Sequence, residues 1–79
     1  MPYIPKPDRV AIDGGLPPTN AGELNYLLTK LCRVFLGPAP NYARFNDVLG
    51  ALEGCKLELY RRLVATYEDA KREQNGDVF

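Results

Sequence analysis

The feature that most constrains this chain is a long stretch that contains no helix-breaking pair, from Pro40 to Asn75-Gly76. Asn41 is a residue type that commonly caps a helix N-terminus, and an Asn-Gly pair commonly ends one. We therefore predict a single helix over about residues 41–75. At about 1.5 Å per residue, a helix of about 34 residues is about 50 Å long.

A shorter helix is predicted before it, over about residues 21–36. Asn20 and Glu23 have the spacing of an N-cap residue and its reciprocal partner, and Gly37 with Pro38 ends the segment. This helix of about 16 residues covers less than half of the longer one if the two pack as a helical hairpin. Much of the longer helix therefore lacks a partner within its own chain.

The long helix carries apolar residues at helical spacing over most of its length. Because exposed apolar patches of this size mark interfaces, we expect a homo-oligomer. Gly50 and Gly54 also share a face, which fits either a close crossing between subunits or a kink or close contact with the first helix. The predicted oligomer interface consists of Phe45, Leu49, Gly50, Leu52, Leu59, Tyr60, Leu63 and Tyr67.

Residues 1–18 hold most of the prolines and are predicted to form an extended arm. Within the arm, Asp8 is positioned to cap one short turn that ends near Ile12. Apolar residues in the arm indicate docking, either on its own helices or on those of a neighbour, with an undocked tail as the alternative. The predicted fold is thus all-α, with an extended arm (1–18) and a helical hairpin (19–79) that forms one domain and assembles into a homo-oligomer.

Composition excludes several classes of chemistry. The chain has no His and only two Cys, Cys32 and Cys55, so it offers neither a zinc site nor His-based catalysis. We expect a non-enzymatic protein without cofactor or metal. Its ten basic and ten acidic residues cancel, which disfavours binding to a nucleic acid polymer.

No apolar run approaches the length that spans a bilayer, so the protein is expected in the cytoplasm and off the membrane. Cys32 and Cys55 both lie among apolar residues of predicted helices. They are interpreted as buried thiols, with a disulfide between them as the alternative.

Aromatic residues that lie close in sequence to cations are candidates for a ligand site. Aromatic rings stack on bases, and Arg and Lys bind phosphates, so such groups suit a nucleotide pocket between subunits. The same residue types are enriched at helical interfaces, which is the competing interpretation. The candidate ligand-binding residues are Tyr3, Lys6, Arg9, Tyr42, Arg44 and Arg61.

Four segments together resemble a family of short uncharacterised proteins from bacteriophages and bacteria. They are Gly-Glu-Leu-Asn-Tyr at 22–26, Tyr-Ala-Arg-Phe-Asn-Asp at 42–47, Lys-Leu-Glu-Leu-Tyr-Arg-Arg at 56–62 and Asn-Gly-Asp-Val at 75–78. The resemblance covers nearly the whole chain. It implies a phage or mobile-element setting and brings no catalytic residues with it.

The leading hypothesis is a helical oligomer that binds a ligand, in its sharpest form a sponge that sequesters a cyclic or other nucleotide immune signal. This idea rests on an analogy of size and composition with phage sponge proteins. Two alternatives remain. The protein is an adaptor or host-takeover factor whose apolar stripe captures a host protein's helix, or it is a structural or regulatory accessory protein of the phage.

Overall fold

In the computed structural model, which describes all residues from Met1 to Phe79, every regular element is helical. The helices are α1 (Lys6–Asp13), α2 (Ala21–Leu36), α3 (Tyr42–Leu59), a π-helical segment (Tyr60–Val64) and α4 (Ala65–Asn75). The predicted all-α class is confirmed. Contacts between residues divide the chain into a first unit, Met1–Arg44, and a second unit, Phe45–Phe79.

The N-terminus of α2 is held by the cap that the sequence predicts. The backbone N–H of Glu23 donates to Oδ1 of Asn20 at 2.9 Å, and the Glu23 carboxylate accepts from the Asn20 amide at 3.1 Å. The same carboxylate accepts from the N–H of Thr19 at 3.0 Å. At the other end Gly37 has φ 74°, which an L side chain rarely adopts, and its N–H donates to the Arg33 carbonyl at 3.1 Å. The predicted bounds of 21–36 are confirmed.

The N-terminal arm is more regular than predicted, because residues 6–13 form the two-turn helix α1. The sequence predicted one short turn here, capped by Asp8 and ending near Ile12, within an otherwise extended arm; the extended conformation is wrong where the helix goes beyond that turn. Pro7 lies in the first turn, where a missing N–H costs no intrahelical hydrogen bond and the fixed φ suits a helix. Asp8 is inside that turn and makes no capping bond; the carbonyl of Pro5 accepts from the N–H groups of Asp8 and Arg9 instead.

Helix α1 packs against α2 around a very small core. Its two buried residues are Ile12, 4% exposed, and Tyr26, 9% exposed. Nearer the N-terminus, Ile4 lies over Gly22, where an added Cβ would come within 3.1 Å of the Ile4 Cγ2 atom. The arm thus contacts α2 of its own chain.

The second helical run continues from Tyr42 to Asn75, as predicted, apart from one irregular turn. Asn41 caps it by accepting from the N–H of Arg44 at 3.0 Å, and Gly76, with φ 89°, follows its last residue. The sequence did not predict the π-helical turn at Tyr60–Val64, where the N–H of Ala65 donates to the Tyr60 carbonyl five residues earlier. Packing of the two long helices as a hairpin stays a prediction.

No residue of the second unit is buried. Its charged residues pair along the helix, Glu53 with Lys56 and Glu58 with Arg61 and Arg62, at the spacing of three or four residues that brings helical side chains together. Arg72 pairs with Asp69 at 3.6 Å.

Both cysteines are free thiols in this structure. Cys32 is half-buried and Cys55 is exposed, so the expected burial is wrong for Cys55. The reason is physical: Cys55 lies on the long helix, where the second unit offers nothing to cover it.

A cationic groove centred on Tyr26

The first unit contains an open groove between the N-terminal arm and α2, with a volume of about 640 Å³. Its floor is one face of α2, and its rim includes the arm and the turn that follows α2. The lining residues are Pro2, Tyr3, Arg9, Tyr26, Thr29, Lys30, Arg33, Val34, Gly37 and Pro38. The groove thus combines two tyrosines with three cations and has no acidic residue in its lining.

Tyr26 organises this groove. The Arg9 guanidinium carbon lies 5.9 Å and the Lys30 Nζ 5.7 Å from the centroid of its ring, both within cation–π range. The Tyr26 hydroxyl donates to the Asp13 carboxylate, with both oxygens at 3.0 Å. The ring is therefore fixed between α1 and α2, and it holds two positive charges beside the groove.

The cations of the groove are not neutralised by ion pairs. All four ion pairs of the chain lie between Glu53 and Arg72, in the second unit. Arg9 makes one hydrogen bond, from Nε to the Ile4 carbonyl at 2.8 Å, which orients its guanidinium and leaves the charge unpaired. Unpaired Arg and Lys side chains bind carboxylate and phosphate groups through charge-assisted hydrogen bonds.

The structure brings together only part of the predicted ligand site. Tyr3 and Arg9 line the groove, whereas Lys6 is exposed on α1 outside its lining. Tyr42 is the first residue of α3 and is exposed, and Arg61 belongs to the second unit, where its Nη2 donates to Glu58 at 2.9 Å.

Arg44 is engaged elsewhere in the first unit. Its Nη1 donates to the carbonyl of Phe35 at 2.9 Å, and its guanidinium carbon lies 4.7 Å from the centroid of the Phe35 ring. The carbonyl belongs to the last turn of α2, so Arg44 satisfies one of the acceptors that a helix end leaves open.

Sequence reasoning missed three of the groove residues, Tyr26, Lys30 and Arg33. Their spacing of four and then three residues places them on one face of α2, and this signal is readable in the sequence. Only the packing of the arm shows that Arg9 and Tyr3 join them.

The residues of the predicted oligomer interface are open to solvent in the single chain. The seven with large side chains are between 38% and 64% exposed. A Cβ added at Gly50 would meet nothing within 4 Å, and the same holds for Gly54, so no close helix contact occupies that face. Their role in an interface stays a prediction.

These features define a class of small all-helical protein with a cationic, tyrosine-centred groove and a long helix that carries an exposed apolar face. The chain belongs to the family described as Domain of unknown function (DUF6899), which matches residues 1–78. Comparison with curated proteins and with solved structures gave no match. None of the helices combines the length and the apolar character needed to cross a membrane.

Proposed function

We propose that this protein is a non-enzymatic binding protein whose groove around Tyr26 holds an anionic ligand that carries a planar ring. The most specific form of this proposal is that the ligand is a nucleotide, cyclic or linear. The observation that carries the proposal is that Arg9, Lys30 and Arg33, none of them ion-paired, line one groove, in which Arg9 and Lys30 lie beside the Tyr26 ring. The cations would bind the phosphates, and the exposed Tyr3 would stack on the base.

Two further features support binding without turnover. The chain has no His, and no group of three Cys, Asp or Glu side chains converges to hold a metal ion. The groove itself presents positive charge and aromatic rings, which suit the binding of an anion. In the phage setting that the sequence resemblance implies, sequestration of a nucleotide immune signal is the role we favour.

We further propose that the functional form is a homo-oligomer in the host cytoplasm. The support is the exposed apolar face of the second unit, which is longer than α2. The same exposed face favours one alternative function, capture of a host protein's helix by an adaptor. The adaptor function predicts a complex with a host protein and no response to small ligands.

The test is a thermal melt of the full chain with a panel of cyclic dinucleotides, linear mononucleotides and inorganic phosphate. A ligand present at about a hundredfold over its Kd stabilises the folded state by about 2.7 kcal/mol, so the melting temperature should rise with one nucleotide. A rise with phosphate alone would assign the groove to a simple anion. A melting temperature that no compound changes would overturn the ligand proposal and favour the adaptor function.

The site itself is tested by Lys30→Ala, with Lys56→Ala as the matched control. Both lysines are exposed and lie on helices, but only Lys30 contacts the Tyr26 ring and lines the groove. Lys30→Ala should weaken nucleotide binding at least tenfold, and Lys56→Ala should leave it unchanged. Equal effects of the two substitutions would show that the groove is not the binding site.

A further inference from the structure

We propose that the second unit pairs lengthwise with the same helix of a second copy of this chain, and that the π-helical turn keeps the pairing face continuous. The face, here termed the seam, consists of Phe45, Val48, Leu52, Cys55, Leu59, Leu63, Tyr67 and Ala70. This inference rests on the self-association in the proposed function and is independent of any ligand.

The first half of the seam has the spacing of a coiled coil. Phe45, Val48, Leu52, Cys55 and Leu59 follow one another at alternating steps of three and four residues. A helix with this repeat presents one continuous apolar face to a partner helix that winds around it. None of the five is charged, and the ion pair between Glu53 and Lys56 lies outside the seam.

The repeat is broken once, directly after Leu59. The next step of three would reach Arg62, an exposed cation, whereas the apolar residues Leu63 and Tyr67 come one position later. A single extra residue in a heptad pattern rotates all later side chains away from the seam if the helix stays α-helical.

The π-helical turn lies where this extra residue occurs. It spans Tyr60–Val64, and its hydrogen bond from Ala65 to Tyr60 encloses one residue more than an α-helical turn does. The turn therefore takes up the additional residue and returns Leu63 and Tyr67 to the side that carries Leu59. Such realignment gives one continuous contact face to a partner that contacts both halves of the helix.

A second copy fits this face because the chain's own elements are too short. Helix α2 has 16 residues and is about 24 Å long, so it reaches along less than half of a seam-bearing helix of about 50 Å. The seam spans the 26 residues 45–70 and is about 39 Å long, so over nearly half the circumference of a rod about 11 Å across it covers an area on the order of 700 Å². That is about what each partner buries in a stable protein complex.

The first experiment measures the mass of the full chain by light scattering at about 100 μM, for the parent protein and two leucine variants. Leu59 lies in the seam and is 52% exposed, while Leu57 lies outside it and is 58% exposed. Leu59→Asp should reduce the mass to that of a monomer, and Leu57→Asp should keep the parent mass. A monomeric parent, or dissociation by both substitutions, would overturn the proposal.

The second experiment tests the role of the π-helical turn by deleting single residues. Deletion of Arg62 removes the extra residue and leaves an uninterrupted heptad, so the oligomer should persist. Deletion of Glu53 shifts Phe45, Val48 and Leu52 off the seam and should dissociate it. Circular dichroism confirms that both variants remain helical. The opposite pattern, or loss of the oligomer in both, would refute the register argument.

These outcomes separate the pairing from ligand binding. A parent protein that is an oligomer and binds no nucleotide would refute the ligand proposal and support pairing through the seam. A parent protein that is a monomer and binds a nucleotide would refute the pairing and support the ligand proposal.

Discussion

The Tyr26 hydroxyl lies 3.0 Å from both oxygens of the Asp13 carboxylate, and this contact ties the middle of α2 to the last residue of α1. This polar contact joins the same two helices as the small apolar core formed by Ile12 and the Tyr26 ring. The same ring carries the contacts with Arg9 and Lys30. The arm, the core and the groove therefore depend on one side chain.

Tyr26→Phe should lower the free energy of unfolding by about 1 kcal/mol. Hydrogen bonds to charged acceptors contribute about 1.5–3 kcal/mol, and solvent around the exposed Asp13 reduces this. Chemical denaturation measures the change. Tyr42→Phe is the control, because Tyr42 is 81% exposed and should lose nothing. A loss of equal size in both variants would show that the Asp13 contact does not hold the arm.

Asn20→Ala should destabilise the first unit by about 1 kcal/mol, the usual cost of removing an N-cap side chain. The N–H of Glu23 loses its acceptor in this variant. Asn25→Ala is the matched control, since Asn25 is exposed inside α2 and alanine has the higher helix propensity. Thermal melting followed by circular dichroism compares the two; a more stable Asn20→Ala protein would refute the cap.

Lys6→Ala separates the site predicted from sequence from the groove in the structure. Lys6 was a candidate ligand residue, but it does not line the groove. Nucleotide binding measured by calorimetry should be lost with Arg33→Ala and retained with Lys6→Ala. If Lys6→Ala abolished binding and Arg33→Ala did not, the ligand would have to lie on another face of the arm.

Tyr60 should titrate above its ordinary value. Its hydroxyl donates to Glu68 at 2.9 Å, and this hydrogen bond and the Glu68 charge raise the pKa of Tyr60 from 10.0. Because the folded-state pKa is the higher one, the stabilising contact is present below pH 10 and is lost as the pH rises through that pKa.

The measurement is a difference titration of tyrosine absorbance between the parent protein and Tyr60→Phe. Glu68→Gln should move the Tyr60 pKa back toward 10, since it removes the negative charge. An unchanged titration in Glu68→Gln would mean that the contact is absent in solution. Glu73→Gln is the control, because Glu73 takes no part in the Tyr60 shift.

Local sequence determined the helices of this protein. The Asn20 and Asn41 caps and the glycines at 37 and 76 fix four helix ends through bonds between residues a few positions apart. Such contacts are encoded by neighbours in the chain, so the bounds of α2 and of the long helical run could be predicted. The proline-rich arm was harder, because Pro7 is compatible with both an extended segment and a first helical turn.

Only the tertiary structure decided where the groove lies. Tyr3 and Arg9 join Tyr26, Lys30 and Arg33 because α1 packs on α2, and that packing depends on contacts between residues distant in sequence, such as Tyr26 with Asp13 and Ile4 with Gly22. The π-helical turn likewise escaped prediction, since a single extra residue in an apolar repeat is a weak local signal. Local hydrogen bonds define where each helix begins and ends. The burial of Ile12 and Tyr26 holds α1 against α2 and so defines the groove between the arm and α2.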